Sequence, residues 1–405
     1  MTDQLGLERD VAAARDATDP LASLRDGFVI DDPERIYLDG NSLGRLSQSV
    51  AERLASGTAA WGSRVVEGWP DWIGLPAQVG DRLAAACLGA QPGEVLVCDS
   101  TTVNLFKLTH AMLDVRDGPV VTDAANFPTD RYVLGGVATA RGREFVLVAS
   151  AEEALARADA ALICLSHVDY RSGRLLDMAA AEQSTRVPIV WDLSHSAGAV
   201  AIDLSGADLA IGCSYKYLNA GPGGPGYLYV RRELQDQLQS PIQGWFGQAD
   251  QFAMSHPYQP VAGLERFLAG TPPILGILAL DASLDMFEEA GMDRVTAKAA
   301  ELTDLAIALH DAWLAPLGFE LATPRAASER GAHVALRHRE AWPICRALIE
   351  KADVIVDFRQ PDVVRFGFPP LYTRFVDVWD GLDRLRSLVE KGVHRTVDSS
   401  PRRVT

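Results

Sequence analysis

Lys216 and Asp192 stand at the ends of consecutive apolar runs in the stretch "WDLSHSAGAVAIDLSGADLAIGCSYKYLNAGPGGPGYLYV". Lysine is rarely buried without a partner. A carboxylate delivered into a cleft by a strand end is costly unless a cation or a hydrogen-bond donor meets it. His195 lies near enough in sequence to share a site with Asp192. Upstream, "VCDSTTVNLFKL" puts Ser100, Thr101 and Thr102 where a strand turns into a helix. Free N–H groups, the helix dipole and hydroxyls there make an anion site; an ordinary N-cap explains the same residues. "NFPTDRY" puts Phe127 and Asp130 at the next such turn, either as a helix start or as an aromatic cover for a planar ligand with an acid beside it. "LSHVDYRSG" puts Ser166 and His167 at a third strand end, where a lone histidine is more often packed than catalytic. Each piece alone has a structural explanation. In order, an anion site, a carboxylate and an amine meet the needs of pyridoxal phosphate. The amine forms a Schiff base with its aldehyde, the carboxylate keeps the pyridine nitrogen protonated so the ring is an electron sink, and the helix start holds the phosphate.

Such residues converge only beyond the carboxyl ends of an open α/β sheet. The chain supplies one. From about residue 94, short apolar strands ("EVLVCD", "GPVVTD", "REFVLV", "ALICLSHV", "PIVWDLSH", "LAIGCSYK", "GYLYV") alternate with helical stretches. That pattern predicts a mostly parallel sheet covered on both faces. "NAGPGGPG" reads as a tight loop that lets backbone pack close beside the lysine. Helices are expected over 8–25, 48–61, 76–89 and 273–315, with "EGWPDWIGLP" irregular. Residues 318–405 read as a smaller α+β unit, with strands "HVALRH", "VIVDFR" and "VVRFGF" and helices over 342–351 and 374–391. The expected division is an N-terminal segment, 1–60, associated with the small domain, a large domain, 61–290, and a small C-terminal domain, 291–405. In "VVRFGF", Val364, Phe366 and Phe368 share one face and leave Arg365 and Gly367 on the other. An arginine there can grip a carboxylate bidentately, with the glycine leaving room beside it.

The net charge of −16 disfavours nucleic acid and anionic membranes. No apolar run is long enough to span a bilayer, and the N-terminus lacks a signal-peptide pattern. Five cysteines without CxxC spacing argue against a zinc site or a disulfide framework and for a cytoplasmic protein without a metal.

From about residue 36 to 390 the chain resembles kynureninase, a pyridoxal-phosphate enzyme of fold type I (the aspartate-aminotransferase-like superfamily). "YLDGNSLG", "DSTTVNLFKL", "NFPTDRY", "SHVDYRSGRLLDM", "WDLSHSAGAV", "GCSYKYLNAGPGG", "GWFGQADQFAM", "FLAGTPPIL" and "VRFGFPPLYT" carry the resemblance, in that order. The resemblance implies a large α/β domain with a smaller α+β C-terminal domain. It also implies hydrolytic Cβ–Cγ cleavage of L-kynurenine to anthranilate and alanine, in tryptophan catabolism. Lys216 would be the Schiff-base lysine, Asp192 the pyridine partner and Phe127 the ring stacked on the cofactor. Thr101 and Thr102 would sit at the phosphate, with Asp130, Ser166, His195 and Tyr215 completing the shell. Tyr215 would relay a proton to Cβ. Trp245 and Thr271 would reach the phosphate from a second subunit, so the resemblance implies a homodimer. Arg365 would bind the substrate carboxylate, with Asn41 and Ser42 beside it.

Family members that prefer 3-hydroxykynurenine are expected to carry a histidine in the segment matching "AAWGSRVV" and an asparagine in place of Thr271; Ser63 and Thr271 here point to plain L-kynurenine. The competing readings are another fold-type-I lyase, such as a cysteine desulfurase, and a pyridoxal-phosphate-binding protein without catalysis. A desulfurase needs a mobile cysteine, and Cys213 is expected on the strand itself.

Overall fold

The computed structural model describes residues 6–398 and residue 400. In chain order the strands are β1 (Ile36–Tyr37), β2 (Val95–Val97), β3 (Val120–Asp123), β4 (Phe145–Val148), β5 (Leu162–Ser166), β6 (Ile189–Asp192), β7 (Leu209–Cys213) and β8 (Gly226–Val230). They continue with β9 (Glu320–Leu321), β10 (His333–Arg337), β11 (Val354–Ile355), β12 (Asp357–Arg359) and β13 (Val363–Gly367).

β2–β8 form one sheet in the order β2-β8-β7-β6-β5-β3-β4. Only β8 runs against its neighbours. The pleat sorts its apolar residues onto two faces. Val121, Ile163, Ile189 and Trp191 face one helical layer, and Val120, Leu162, Cys164 and Val190 the other. The first layer contains the helices Leu75–Leu83 and Ile274–Ala290. The second contains Thr101–Val115 and Pro128–Ala140. With both faces covered, strands can be continuously apolar, which is why they read so plainly in the sequence.

A four-stranded antiparallel sheet, β12-β13-β10-β9, forms the smaller body. Val334, Leu336, Val364, Phe366 and Phe368 share a core with the helices Met292–Leu309, Ala341–Lys351 and Phe375–Glu390. The helix Arg9–Thr18 lies on Phe375–Glu390. Asp16 receives Phe375 N at 2.6 Å and Val376 N at 3.1 Å, placing a carboxylate at that helix's positive end. β1 pairs in parallel with β11. The helix Arg9–Thr18 and β1 therefore attach to the small body, whereas Leu21, Leu24 and Phe28 between them pack into the core of the large one. The helix Gln48–Arg64 lies along Ile274–Ala290 instead, and Gly57 permits the approach: a Cβ there would sit 2.7 Å from Leu278 Cδ1. The loop between, residues 39–47, crosses from one body to the other.

Three elements differ from the sequence expectation. The helix expected over 8–25 stops at Thr18, because Pro20 forces Asp19 into extended backbone, and a short 3-10 helix, Ala22–Gly27, follows. "EGWPDWIGLP" is not irregular throughout: it holds the one-turn helix Trp69–Trp72 and starts the next at Leu75, with a proline in the first turn of each. "VIVDFR" divides at Val356 into β11 and β12, which join different sheets. The break aims Asp357 and Arg359 away from the core that holds Val354 and Val356.

Candidate active site

The carboxyl ends of β2, β3, β5, β6 and β7 open onto a cleft of about 330 Å³, whose opposite wall is the polar face of β12 and β13 with the 39–47 loop. Thr101 and Thr102, Phe127 and Asp130, Ser166, Asp192, His195, Tyr215 and Lys216 line it from the large sheet. Asn41, Ser42 and Arg365 line it from the other side.

At one end lies the start of the helix Thr101–Val115, capped by Ser100 Oγ, which accepts from Val103 N at 3.4 Å. The cap leaves the N–H groups of Thr101 and Thr102 for a ligand. β8 backs onto this turn through Gly226, where a Cβ would lie 2.7 Å from Ser100 C and 2.8 Å from Thr101 N. The close packing of the glycine loop at its Gly226 end is therefore against the anion-binding turn. Beneath it, the fully buried Lys107 donates to Asp99 at 2.7 Å and to the Phe267 carbonyl at 2.7 Å.

In the middle of the cleft, Asp192 Oδ1 accepts from Ser194 N at 2.9 Å and Ser194 Oγ at 2.6 Å. Asp130 lies within hydrogen-bond reach of it, and burial together with the Asp192 charge pushes the Asp130 carboxyl well above the usual range. Asp130 therefore favours its protonated form, which can donate to Asp192. Phe127 stands at the N-cap of Pro128–Ala140, with Tyr170 edge-on to its ring at 5.1 Å. Ser166 Oγ donates to Asn126 Oδ1 at 2.8 Å. His167 turns away from the cleft and packs edge-on to Trp191 at 6.1 Å; it is a core residue.

β7 ends at Cys213, so Lys216 sits in the turn beyond the strand. Asn219, at φ 56°, closes that turn by donating to Lys216 O at 3.0 Å. Gly44 N donates to Tyr215 O at 2.8 Å, and a Cβ on Gly44 would lie 2.3 Å from Lys216 O. The loop from the small-sheet side therefore clamps the lysine turn. Lys216 Nζ is 3.0 Å from His195 Nε2. Burial first, then the charges of Lys216 and Arg365, push His195 well below its ordinary pKa, so it is neutral beside the amine. Cys213 and burial push the Tyr215 phenol up, so it keeps its proton at neutral pH.

Opposite, Arg365 Nε donates to Asp357 Oδ1 at 2.7 Å, and its Nη2 donates to Asp357 Oδ2. Its Nη1 donates to the Tyr170 carbonyl. Gly367 makes room for Asn41, whose Oδ1 would meet a Cβ there at 1.9 Å. With its amide turned to satisfy both partners, Asn41 accepts from Arg365 Nη2 at 3.0 Å.

These donors fit pyridoxal phosphate: free N–H groups and hydroxyls at a helix start, a fixed carboxylate, and an amine in a buried polar cleft. Asp130 Oδ2 and His195 Nδ1 are buried there without a partner, as expected of groups that await a polar ligand.

A family model described as "Kynureninase C-terminal domain" matches residues 295–385. A kynureninase from Burkholderia pseudomallei (strain 1106a) is 40% identical over 413 aligned positions, covering 97% of this chain and 98% of its own length. A kynureninase from Pseudomonas fluorescens is 41% identical over 403 positions, covering 95% and 96%. The chain belongs to the kynureninase family. Among solved structures, a cysteine desulfurase from Thermococcus onnurineus NA1 superposes with a TM-score of 0.79 at 20% identity, over 91% of this chain and 98% of that one. One from Escherichia coli gives 0.77 at 17%, over 92% and 98%. They share the fold, that of the type I pyridoxal-phosphate enzymes. The desulfurase reading lacks its nucleophile here: Cys213 is buried on β7, with Ser194 O at 3.9 Å, and burial raises its thiol pKa.

Two of the residues expected at the site lie outside the cleft of this kynureninase-family chain. Trp245 is exposed and packs edge-on to Phe246 at 4.5 Å. Thr271 lines a separate apolar cavity of about 380 Å³ with Trp61, Trp69 and Trp72. Ser63 is exposed on its helix and donates back to Ala59 O at 3.0 Å. Asp357, Arg359, Asn126, Tyr170 and Lys107 were not singled out from the sequence. Asp357 and Arg359 had a usable signal: two charged residues at strand spacing inside an apolar run.

Proposed function

We propose that this chain is a pyridoxal-phosphate-dependent hydrolase that converts L-kynurenine and water to anthranilate and L-alanine. One observation supports the reading beside the family: a single cleft holds the amine, the fixed carboxylate and the free helix start, with arginines on the opposite wall. When bound, pyridoxal phosphate supplies a covalent hold on the substrate amino group and a sink for the electrons released at Cα and Cβ. Thr101 and Thr102 hold the phosphate, Asp192 the ring nitrogen and Lys216 the aldehyde carbon, with Phe127 against the ring and Ser166 and His195 around it. Asp130 and Ser194 keep the Asp192 charge in place. Lys216 moves the proton at Cα, and neutral His195 is the partner nearest that amine. Tyr215, holding its proton, delivers it to Cβ as a general acid, a contribution of about 10²–10⁴-fold. Arg365 orients the α-carboxylate, with Asn41 and Ser42.

The enzyme is a homodimer in which Trp245 and Thr271 complete the partner's site. Apolar residues left in the open support this: Trp61, Val65, Val66, Phe252 and Met254 are each at least 58% exposed. It acts in the cytoplasm, in tryptophan catabolism by the kynurenine pathway, which also feeds NAD biosynthesis. No helix among the described residues is long and apolar enough to cross a membrane, and the five cysteines are free. The domain division proposed is 1–60, 61–290 and 291–405.

The test compares kcat/KM of the holoenzyme on L-kynurenine, 3-hydroxykynurenine and L-cysteine. L-Kynurenine is expected to be preferred, and Lys216→Ala to abolish turnover. Faster sulfide release from cysteine would overturn the reading.

A further inference from the structure

Arg365, the arginine expected to take the substrate carboxylate, is already engaged. Each of its three guanidinium nitrogens donates to a protein acceptor: Asp357, the Tyr170 carbonyl and, from Nη2, also Ser42 Oγ at 3.3 Å. Its side chain is 1% exposed, as is that of Asp357. A bidentate buried pair of this kind is locked in place, and its charges are largely mutually cancelled.

Arg359 lies two residues along β12 from Asp357, on the same side of the strand, and its side chain is 37% exposed at the wall of the cleft. Its Nη2 donates to Asp357 Oδ2 at 2.7 Å and approaches Ser42 Oγ at 3.4 Å. Its Nε is buried without a partner, and no described residue accepts from its Nη1. Two guanidinium groups thus share one carboxylate, leaving one excess positive charge that faces the cleft from Arg359. Asp39, the other acid behind this cluster, is pushed up to about 7 by burial and by Asp357, so it cancels only part of the excess. The two arginines respond in opposite directions: Asp357 outweighs burial and raises Arg365, whereas burial and then the Arg365 charge lower Arg359. The counter-charge is spent on Arg365.

We propose that Arg359 is a second substrate-binding residue, whose free guanidinium edge receives the α-carboxylate and shares it with Arg365, while Asp357 holds both arginines in register. The specificity that follows is for free α-amino acids, with amines lacking the carboxylate bound more weakly. This rests on the cleft being an amino-acid site as proposed above. Turnover of L-kynurenine by the unaltered holoenzyme tests that reading separately, whatever the variants do.

The experiment uses holoenzymes of Arg359→Gln and Arg359→Lys. Four quantities are measured: cofactor content, kcat and KM for L-kynurenine, and inhibition by L-alanine against inhibition by ethylamine, which lacks its carboxylate. Arg359→Gln is expected to bind the cofactor normally and to raise KM and the L-alanine inhibition constant roughly 10- to 100-fold, the worth of one charge-assisted hydrogen bond, with kcat changed less than about threefold by that same logic of lost uniform binding. Ethylamine inhibition stays the same. Arg359→Lys keeps a point charge without the fork and falls between. The proposal is overturned if KM and L-alanine inhibition stay within about twofold of the unaltered enzyme. It is equally overturned if L-alanine and ethylamine weaken together, or if Arg359→Gln loses its cofactor, since either makes Arg359 a packing residue.

Discussion

Asp39 and Asp357 share one buried cluster and are pushed in opposite directions. Burial opposes the Asp357 charge, but Arg365 and then Arg359 outweigh it and hold the carboxyl at about 2. At Asp39 burial and the Asp357 charge outweigh Ser42 and the same two arginines and push the carboxyl up to about 7. The consequences for stability have opposite signs. Between about pH 2 and 4 the unfolded chain binds the proton at Asp357 and the folded one does not, so stability rises with pH there. Between about pH 4 and 7 the folded chain holds a proton on Asp39 that the unfolded chain has released, so Asp39 lowers stability as pH rises, by at most about 1.4 kcal/mol per pH unit. Asp39→Asn removes this second slope. The variant's denaturation midpoint, compared with that of the unaltered protein, should improve steadily from pH 5 to 7 and by a constant amount above pH 8. A difference that does not vary with pH would place the Asp39 proton elsewhere. In the sequence Asp39 stands in "YLDGNSLG" with Asn41 and Ser42, and nothing there points to Asp357, because the contact joins a crossing loop to a distant strand.

At the level of elements, the site depends on how closely β8 approaches the helix start that it backs. Gly226→Ala puts a Cβ within 2.8 Å of backbone atoms of Ser100 and Thr101, which no side-chain rotation relieves. The helix start must move, and the weakening of pyridoxal-phosphate binding should be roughly 2- to 30-fold, the range for one helix-terminus interaction. Titrating the apoprotein with the cofactor measures it. Gly136→Ala, on an open helix face, is the control and should change nothing. Unchanged affinity in Gly226→Ala would show that the turn yields freely. The large sheet was legible because its strands are buried on both faces and read as apolar runs, and the strand ends then located Asp192, Ser166 and the helix start. Lys216 was expected on the strand, but β7 stops three residues short of it and Asn219 makes the turn that carries it to the cleft. The division of "VIVDFR" was not legible, because it is decided by pairing with β1 and β13 and not by local pattern. Asp357 and Arg359 left only the spacing of two charges inside that run, and their meeting with Arg365 depends on the same pairing.

For the whole molecule, the distribution of the expected site residues argues for two chains. Twelve of the fourteen line one cleft, and Trp245 and Thr271, the two that the family resemblance gives to a second subunit, do not. Thr271 borders an apolar cavity walled by three tryptophans, and Trp245 is followed by the exposed Phe252 and Met254. Apolar surface of this kind on a chain of net charge −16 calls for cover. A twofold dimer supplies it with the same patch from each copy. If the partner completes each cleft, a chain lacking Lys216 and a chain lacking Trp245 repair one another. Each mixed dimer then has one site with both defects and one intact site. Co-expression of Lys216→Ala and Trp245→Ala chains in equal amounts should therefore give about a quarter of the normal density of intact sites, the statistical share for a closed twofold pair. Neither variant alone should approach that activity. The readout is kynurenine turnover of the purified mixture, with the mass in solution measured by light scattering. A monomeric mass at micromolar concentration, or a mixture no more active than the sum of its parts, would leave each cleft to be completed by its own chain.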